Sequence, residues 1–291
     1  MTNGETNMLD FTTNPTAAFV PADLDFGVTY EPTRVADKKY VINRETGEPL
    51  GIVGHTFRCA SHPDFYNGVN ECITEHLSPA ELEGTDVRWN VARGGAWAMM
   101  DMTLPNVTSK IETDKHETTV AQRIIALHGI DGSCSNQVFF GAIDFFCTNG
   151  MVRGEHDKVR RKNSSGFTLS SFIRQLEAST QSFYQQSKQL QHWAKTRTTP
   201  YDVKGMLDSL MSNERQAEKM FNLYNHEATV RGHNKWALYS AMTNYASYAD
   251  ERNGFTMRKT SLDNEAITMF KREQDVAGWV SSKQFNELVA A

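Results

Sequence analysis

Residues 124–167 read IIALHGIDGSCSNQVFFGAIDFFCTNGMVRGEHDKVRRKNSSGF, and the chain changes character across them. Val138 to Phe146 is its most β-prone run, because β-branched and aromatic residues suit a pleated, half-buried surface. The densest basic cluster follows at once. Before this stretch the hydrophobic pattern has the period of strands; after it the spacings are three and four, those of helices. Charge changes too: residues 1–150 hold 10 Lys/Arg against 20 Asp/Glu, and residues 151–291 hold 20 against 15. The pattern predicts an α+β protein, with an N-terminal, mostly antiparallel sheet carrying one inserted helix and a C-terminal helical region packed on or beside it. The expected boundaries are a loose polar arm over 1–20, a β-rich region over 21–167 and a helical region over 168–291.

Toward the N-terminus, VRWNVA and AWAMMDMTL flank Arg93, Gly94 and Gly95, and KKYVIN and PLGIVGHTF flank RETGE, where Gly47 supplies a positive φ. Both read as hairpins. With VAQRIIAL and QVFFGAIDFFC they predict a sheet of about five or six strands. Pro63 opens the inserted helix, whose Phe65, Val69, Cys72, Ile73 and Leu77 share one face. Toward the C-terminus, a stripe runs through Leu169, Ile173, Leu176, Phe183, Leu190 and Ala194. Thr199, Pro200 and Asp202 form a helix start. Ser212 and Glu214 suggest another, Asn234 caps a helix with Trp236, Tyr239, Thr243 and Ala246 aligned, and LDNEAITMFKREQ begins a last one.

The composition, 39% hydrophobic and 22% charged over 291 residues, is that of a globular protein. No apolar run approaches the roughly 18 residues of a membrane helix, and MTNGETNMLDFTTN lacks the basic start and apolar centre of a signal peptide. The expectation is a cytoplasmic protein without membrane contact. Cys59, Cys72, Cys134 and Cys147 are too dispersed for a disulfide framework and read as free thiols.

Cys59-x2-His62 and Cys72-x3-His76 have a spacing that could close a tetrahedral zinc site, but Cys72 falls on the apolar helix face where a small hydrophobe belongs. Cys147 with His128 and Asn149 could form a nucleophile set, or simply end a buried strand. GIDGSCSNQ and Gly94-Gly95 match no phosphate-loop fingerprint and read as turns. No catalytic residue, metal site or cofactor is therefore assigned, and the reading is non-enzymatic. The electrostatic signal is stronger. Arg153, Lys158, Arg160, Arg161 and Lys162 stand together before NSSG, and Lys195 and Arg197 follow Trp193. Further basic residues, Arg252, Arg258 and Lys259, follow the aromatic run Tyr239 to Tyr248. Cations beside aromatics suit single-stranded nucleic acid, where the cations track phosphates and the rings stack on bases. The alternative is a solvated basic loop with those aromatics inside the helical core.

The segments YVINRETGEPLGIVG, RWNVARGGAWAMM, LHGIDGSCSNQVFFGAIDFFCTNGMV and KWALYSAMTNYASY, in that order, resemble the phage and plasmid-like proteins grouped as domain of unknown function 932. The likeness spans roughly residues 35–250. It is strongest at Asp131, Gly132, Ser133, Cys147 and Asn149, with Trp236, Tyr239, Ala241 and Thr243 matching a late tryptophan helix. Arg161-Lys162 stands where that family usually has Arg-His. The resemblance implies DNA replication, recombination or host-takeover functions, and a location in the host cytoplasm if the protein is phage-encoded. In outline it is similar to single-strand-annealing recombinases, an analogy of fold alone. The resulting expectation is a DNA-metabolism protein that binds single-stranded DNA or another polyanion through Arg153, Lys158, Arg160, Arg161, Lys162, Lys195 and Arg197, as a homo-oligomer. The alternative is an adaptor or inhibitor whose acidic half contacts a host protein.

Overall fold

The computed structural model describes residues 19–144, 150–152, 158–161, 183–248 and 265–289. Among them lie nine strands in two sheets, with helices concentrated in the second half, so the α+β expectation holds. β1 (Val28–Pro32), β2 (Lys38–Asn43) and β3 (Pro49–Gly54) form a small antiparallel sheet. β4 (Asp86–Ala92), β5 (Trp97–Glu112), β6 (Glu117–Gly129), β7 (Asn136–Asp144), β8 (Gly150–Val152) and β9 (Lys158–Arg161) form the large one. A single sheet was expected. Alternation specifies which residues share a face but not which strands share a sheet, and the small sheet includes β1, whose short, largely exposed run VTYEP carries little pattern.

Both hairpin turns fall where the glycines put them. Gly47 has φ +73°, and Arg93, Gly94 and Gly95 have φ 54°, 60° and 89°, a left-handed run that two glycines make accessible. β5 and β6 form one long hairpin, interrupted between Leu104 and Thr108, where Pro105 cannot donate to a ladder. β8 and β9 both run antiparallel to β7. Val152 pairs with Gly141 and Lys158 with Phe139, so β8 and β9 lie beside successive parts of β7.

Each face of the large sheet is covered. Ala98, Met100, Met102 and Leu104 of β5, with Ile124 and Ala126 of β6, belong to the larger core. Trp97, Met99, Ile125 and Leu127 belong to a smaller one, which also takes Phe26. Over the first face packs α1 (His62–His76), where Ser61 and Asp64 close a capping box. A single turn, α2 (Pro79–Leu82), follows it. The C-terminal helices α3 (Phe183–Lys195), α4 (Pro200–Leu210), α5 (Glu214–Arg231) and α6 (Lys235–Tyr248) complete that core. Thr199 caps α4 as expected, whereas α5 is capped by Asn213 in place of Ser212, its Oδ1 accepting from the Arg215 N–H. α7 (Glu265–Ser281) borders both cores, giving Val276 and Val280 to the larger and Ile267, Phe270 and Ala277 to the smaller. α8 (Lys283–Glu287) inserts Phe285 against Trp193. Phe19 and Val20, at the end of the stretch expected as a loose arm, are buried in the larger core. The first half of the Leu169 stripe lies outside the described residues.

The small sheet docks through backbone proximity. A Cβ on Gly51 would lie 2.8 Å from Asp131 Cβ and 3.0 Å from its Cα, so β3 meets the Asp131-Gly132-Ser133 turn with no room for a methyl group. Gly51→Ala is expected to lower the unfolding free energy by about 1–3 kcal/mol, the usual cost of overpacking. Gly54→Ala, where the space is open, is the control. Equal denaturant midpoints for the two variants would disprove the contact.

Candidate nucleic-acid interface

Three polar constellations stand out, and in two of them the charged groups pair with each other. In the first, Asp131 accepts from Arg93 Nη1 (2.7 Å), Trp97 Nε1 (3.0 Å) and both the N–H (2.9 Å) and Oγ–H (2.6 Å) of Ser133. Ser133 Oγ also accepts from Arg93 Nη1 and Trp97 Nε1. The Asp131 turn and the Arg93-Gly94-Gly95 turn are thus locked to each other, a structural role for the most family-like residues in the sequence.

The second is a buried charge group. Arg123 of β6 grips Asp101 of β5 with two bonds, at 2.8 and 2.7 Å, and Glu273 of α7 with a third at 2.8 Å. Burial opposes the Arg123 charge, but the two carboxylates outweigh it and its pKa is raised. Burial likewise pushes Glu273 up, against the pull of Arg123. This group fastens α7 to the sheet.

The third is open to solvent, at the tip of the long β5–β6 hairpin. Thr113 shapes the tip: its Oγ1 accepts from the N–H groups of Lys115 and His116. Gln191 of α3 anchors it, accepting from the Glu112 N–H and donating to the Glu112 carbonyl, both at 2.9 Å. The segment after α3 then crosses the start of α6, with Thr198 N–H donating to the His233 carbonyl and Lys235 N–H to the Thr196 carbonyl. Between hairpin tip, α3 end, α4 start and α5–α6 junction lies a cleft of about 560 Å³, the size of a small-molecule or nucleotide site. Its rim carries exposed Lys115, Lys195 and Arg197, with Arg197 Nη2 bonded to Asp114 Oδ2 at 3.0 Å. Its floor is set by Arg231, buried and paired with Glu227 at 2.7 Å. Tyr224 links Thr198 Oγ1 (3.0 Å) to His233 Nδ1 (2.9 Å), and burial pushes its pKa up, so the phenol stays protonated there.

The residues expected to bind nucleic acid are divided between two places. Lys195 and Arg197 stand on this cleft. Lys158, Arg160 and Arg161 lie on β9, where Arg160 pairs with Gln137 and so stands level with Leu127 of β6. Leu127 is ten residues along β6 from Glu117 at the hairpin tip, about 33 Å at ~3.3 Å per residue. Arg153, Lys162, Arg252, Arg258 and Lys259 lie outside the described residues. Among the described residues, Trp193, Tyr239 and Tyr245 of the expected aromatic surface are buried in the helical core, because the stripe that carries them is the one the helices pack on. Sequence reasoning missed Lys115, Asp114 and His233. The first two are brought here only by the hairpin's length, which no local signal encodes.

The other candidates separate. Cys59 packs against the smaller core, with its N–H donating to Tyr30 Oη, whereas Cys72 is inside the larger one, so the zinc-like spacing does not converge. His62 and His128 bond to each other through Nδ1. Among the described residues no group of three or more His, Cys, Asp or Glu could hold a metal ion. Cys147 and Asn149 lie outside them. No helix among the described residues is long and apolar enough to cross a membrane.

Two antiparallel sheets with a helical layer, and a cleft at the end of the long hairpin, define an α+β protein. The chain belongs to the family described as domain of unknown function (DUF932), whose profile matches residues 49–283, from the first residue of β3 to the first of α8. Comparison with curated proteins and with solved structures gives no match.

Proposed function

We propose that this protein binds single-stranded nucleic acid and supports replication or strand annealing, as a phage-type protein of DNA metabolism that works as a homo-oligomer. One observation carries the reading: Lys115 of the hairpin tip, with Lys195 and Arg197 at and just after the end of α3, presents three exposed cations around one cleft. Cations so placed neutralise phosphates and release counterions, giving affinity without sequence preference. With the aromatics buried, phosphate contact outweighs base stacking in this reading.

The test is binding of a fluorescent single-stranded oligonucleotide across a salt series, with light scattering on the same sample. Lys195→Glu with Arg197→Glu is expected to weaken binding equally for all sequences and to reduce the slope of log K against log salt by about 2. Arg160→Glu with Arg161→Glu asks the same of β9. Unchanged affinity and slope in both double variants, or no binding at low salt, overturns the reading.

A further inference from the structure

The cleft already contains an anion of the protein's own. Asp114 reaches from the hairpin tip to Arg197 with a single 3.0 Å contact, and the two side chains remain 82% and 79% exposed. Exposed pairs of this kind contribute little, about 0–1 kcal/mol. The tip itself is held independently, by Gln191 on Glu112 and by the Thr113 turn. The Asp114 carboxylate can therefore leave Arg197 by side-chain rotation, with no change in the backbone. An arginine fork donates to carboxylate and phosphate oxygens alike. Of the other cations on the lining, Arg231 is held by Glu227, while Lys115 and Lys195 flank the cleft exposed.

We infer that Asp114 stands in for a ligand phosphate on Arg197, and that the cleft is a phosphate subsite which a ligand opens by displacing this carboxylate. The ligand class is a phosphate group, from a nucleic-acid backbone or a free phosphate compound. The inference deepens the nucleic-acid reading and rests on it only for the choice between those sources.

Asp114→Asn removes the competing charge and keeps the side-chain size at an exposed tip. Binding of pyrophosphate and of a single-stranded oligonucleotide is measured by calorimetry for wild type, Asp114→Asn, and Asp114→Asn with Arg197→Gln. Asp114→Asn is expected to bind pyrophosphate about fivefold more tightly, the factor an exposed ion pair can supply, and Arg197→Gln is expected to abolish that gain. A parallel gain for the oligonucleotide assigns the subsite to a nucleic-acid phosphate. A gain for pyrophosphate with no oligonucleotide binding by any of the three proteins keeps the subsite and removes the nucleic-acid reading. Unchanged or absent pyrophosphate binding in Asp114→Asn, or a gain that survives Arg197→Gln, overturns the inference.

Discussion

Arg123→Met is expected to lower the unfolding free energy by about 3–5 kcal/mol, the cost of removing one partner from a buried ion pair. The side chains of Arg123 and Glu273 are 6% and 4% exposed, and Asp101 is 14% exposed. Methionine matches much of the volume but leaves two carboxylates beside apolar neighbours without their cation. Glu273 Oε2 already lacks a hydrogen-bond partner among the described residues, so water and protein have little to offer in compensation. The pH dependence gives a signature that a mere packing defect lacks. Without Arg123, burial raises the Glu273 pKa further. A carboxyl with a raised folded-state pKa loses stability as pH rises through that value, so the penalty must be smaller at acidic pH and larger above neutrality. Adding Glu273→Met should restore part of the loss, because apolar replacement of a whole buried charge group is often neutral or stabilising. A loss below 1 kcal/mol that does not vary with pH would show that the group is hydrated and does not fasten α7.

What the sequence made legible follows the range of the interactions. The Pro63 helix start, the Thr199 cap and the Arg93-Gly94-Gly95 turn are encoded within four residues, and each forms where its residues stand. The apolar face of α1 is equally local. α6 is different: one stripe was expected, through Trp236, Tyr239, Thr243 and Ala246, yet every residue from Asn234 to Ala246 is buried. A helix surrounded on all sides needs no amphipathic pattern, only small or internally satisfied polar groups, and Thr243 Oγ1 donates to the Ser240 carbonyl accordingly. The charge asymmetry between the two halves was legible as a total and misleading as geography. Asp114 of the acidic half pairs with Arg197 of the basic half, so one excess charge on each side is paired within the molecule, whereas Arg123 and Glu273 pair the minority charges of the two halves. The basic residues of the candidate site divide the same way. Lys195 and Arg197 were visible as neighbours in sequence, but Lys115 joins them only through strand register and the anchoring of Glu112 by Gln191.

Stability is expected to fall by about 2.2 kcal/mol for each pH unit, averaged from pH 6.5 to 5, on account of two buried histidines. His62 Nε2 lies 2.8 Å from the Gly95 carbonyl, so that nitrogen carries the proton and donates it. Its Nδ1 is then the acceptor in the 2.9 Å contact with His128 Nδ1, which must donate. Both rings are thereby fixed as neutral tautomers, and His128 Nε2 is left as a bare lone pair in the core, without a hydrogen-bond partner among the described residues. A proton added to either ring would place a charge among Phe65, Tyr66 and Phe26. Burial accordingly lowers the His62 pKa to about 4, and burial followed by the proximity of His62 holds His128 well below the usual 6.5. The unfolded chain binds these two protons near pH 6.5 and the folded chain does not, so stability rises with pH across that window and is complete above it. Each histidine contributes about 0.7 kcal/mol per unit at pH 6.5, where the unfolded ring is half protonated, rising toward about 1.4 near pH 5, or about 1.1 on average. His128 stacks on Phe65 at 4.5 Å and 11°, so His128→Phe keeps the ring contact and removes the orphaned lone pair. In that variant the average slope between pH 6.5 and 5, from urea denaturation at constant ionic strength, should halve to about 1.1 kcal/mol per unit. A wild-type slope near zero would mean that the imidazoles take up protons in the folded state, and an unchanged slope in His128→Phe would place the titration elsewhere.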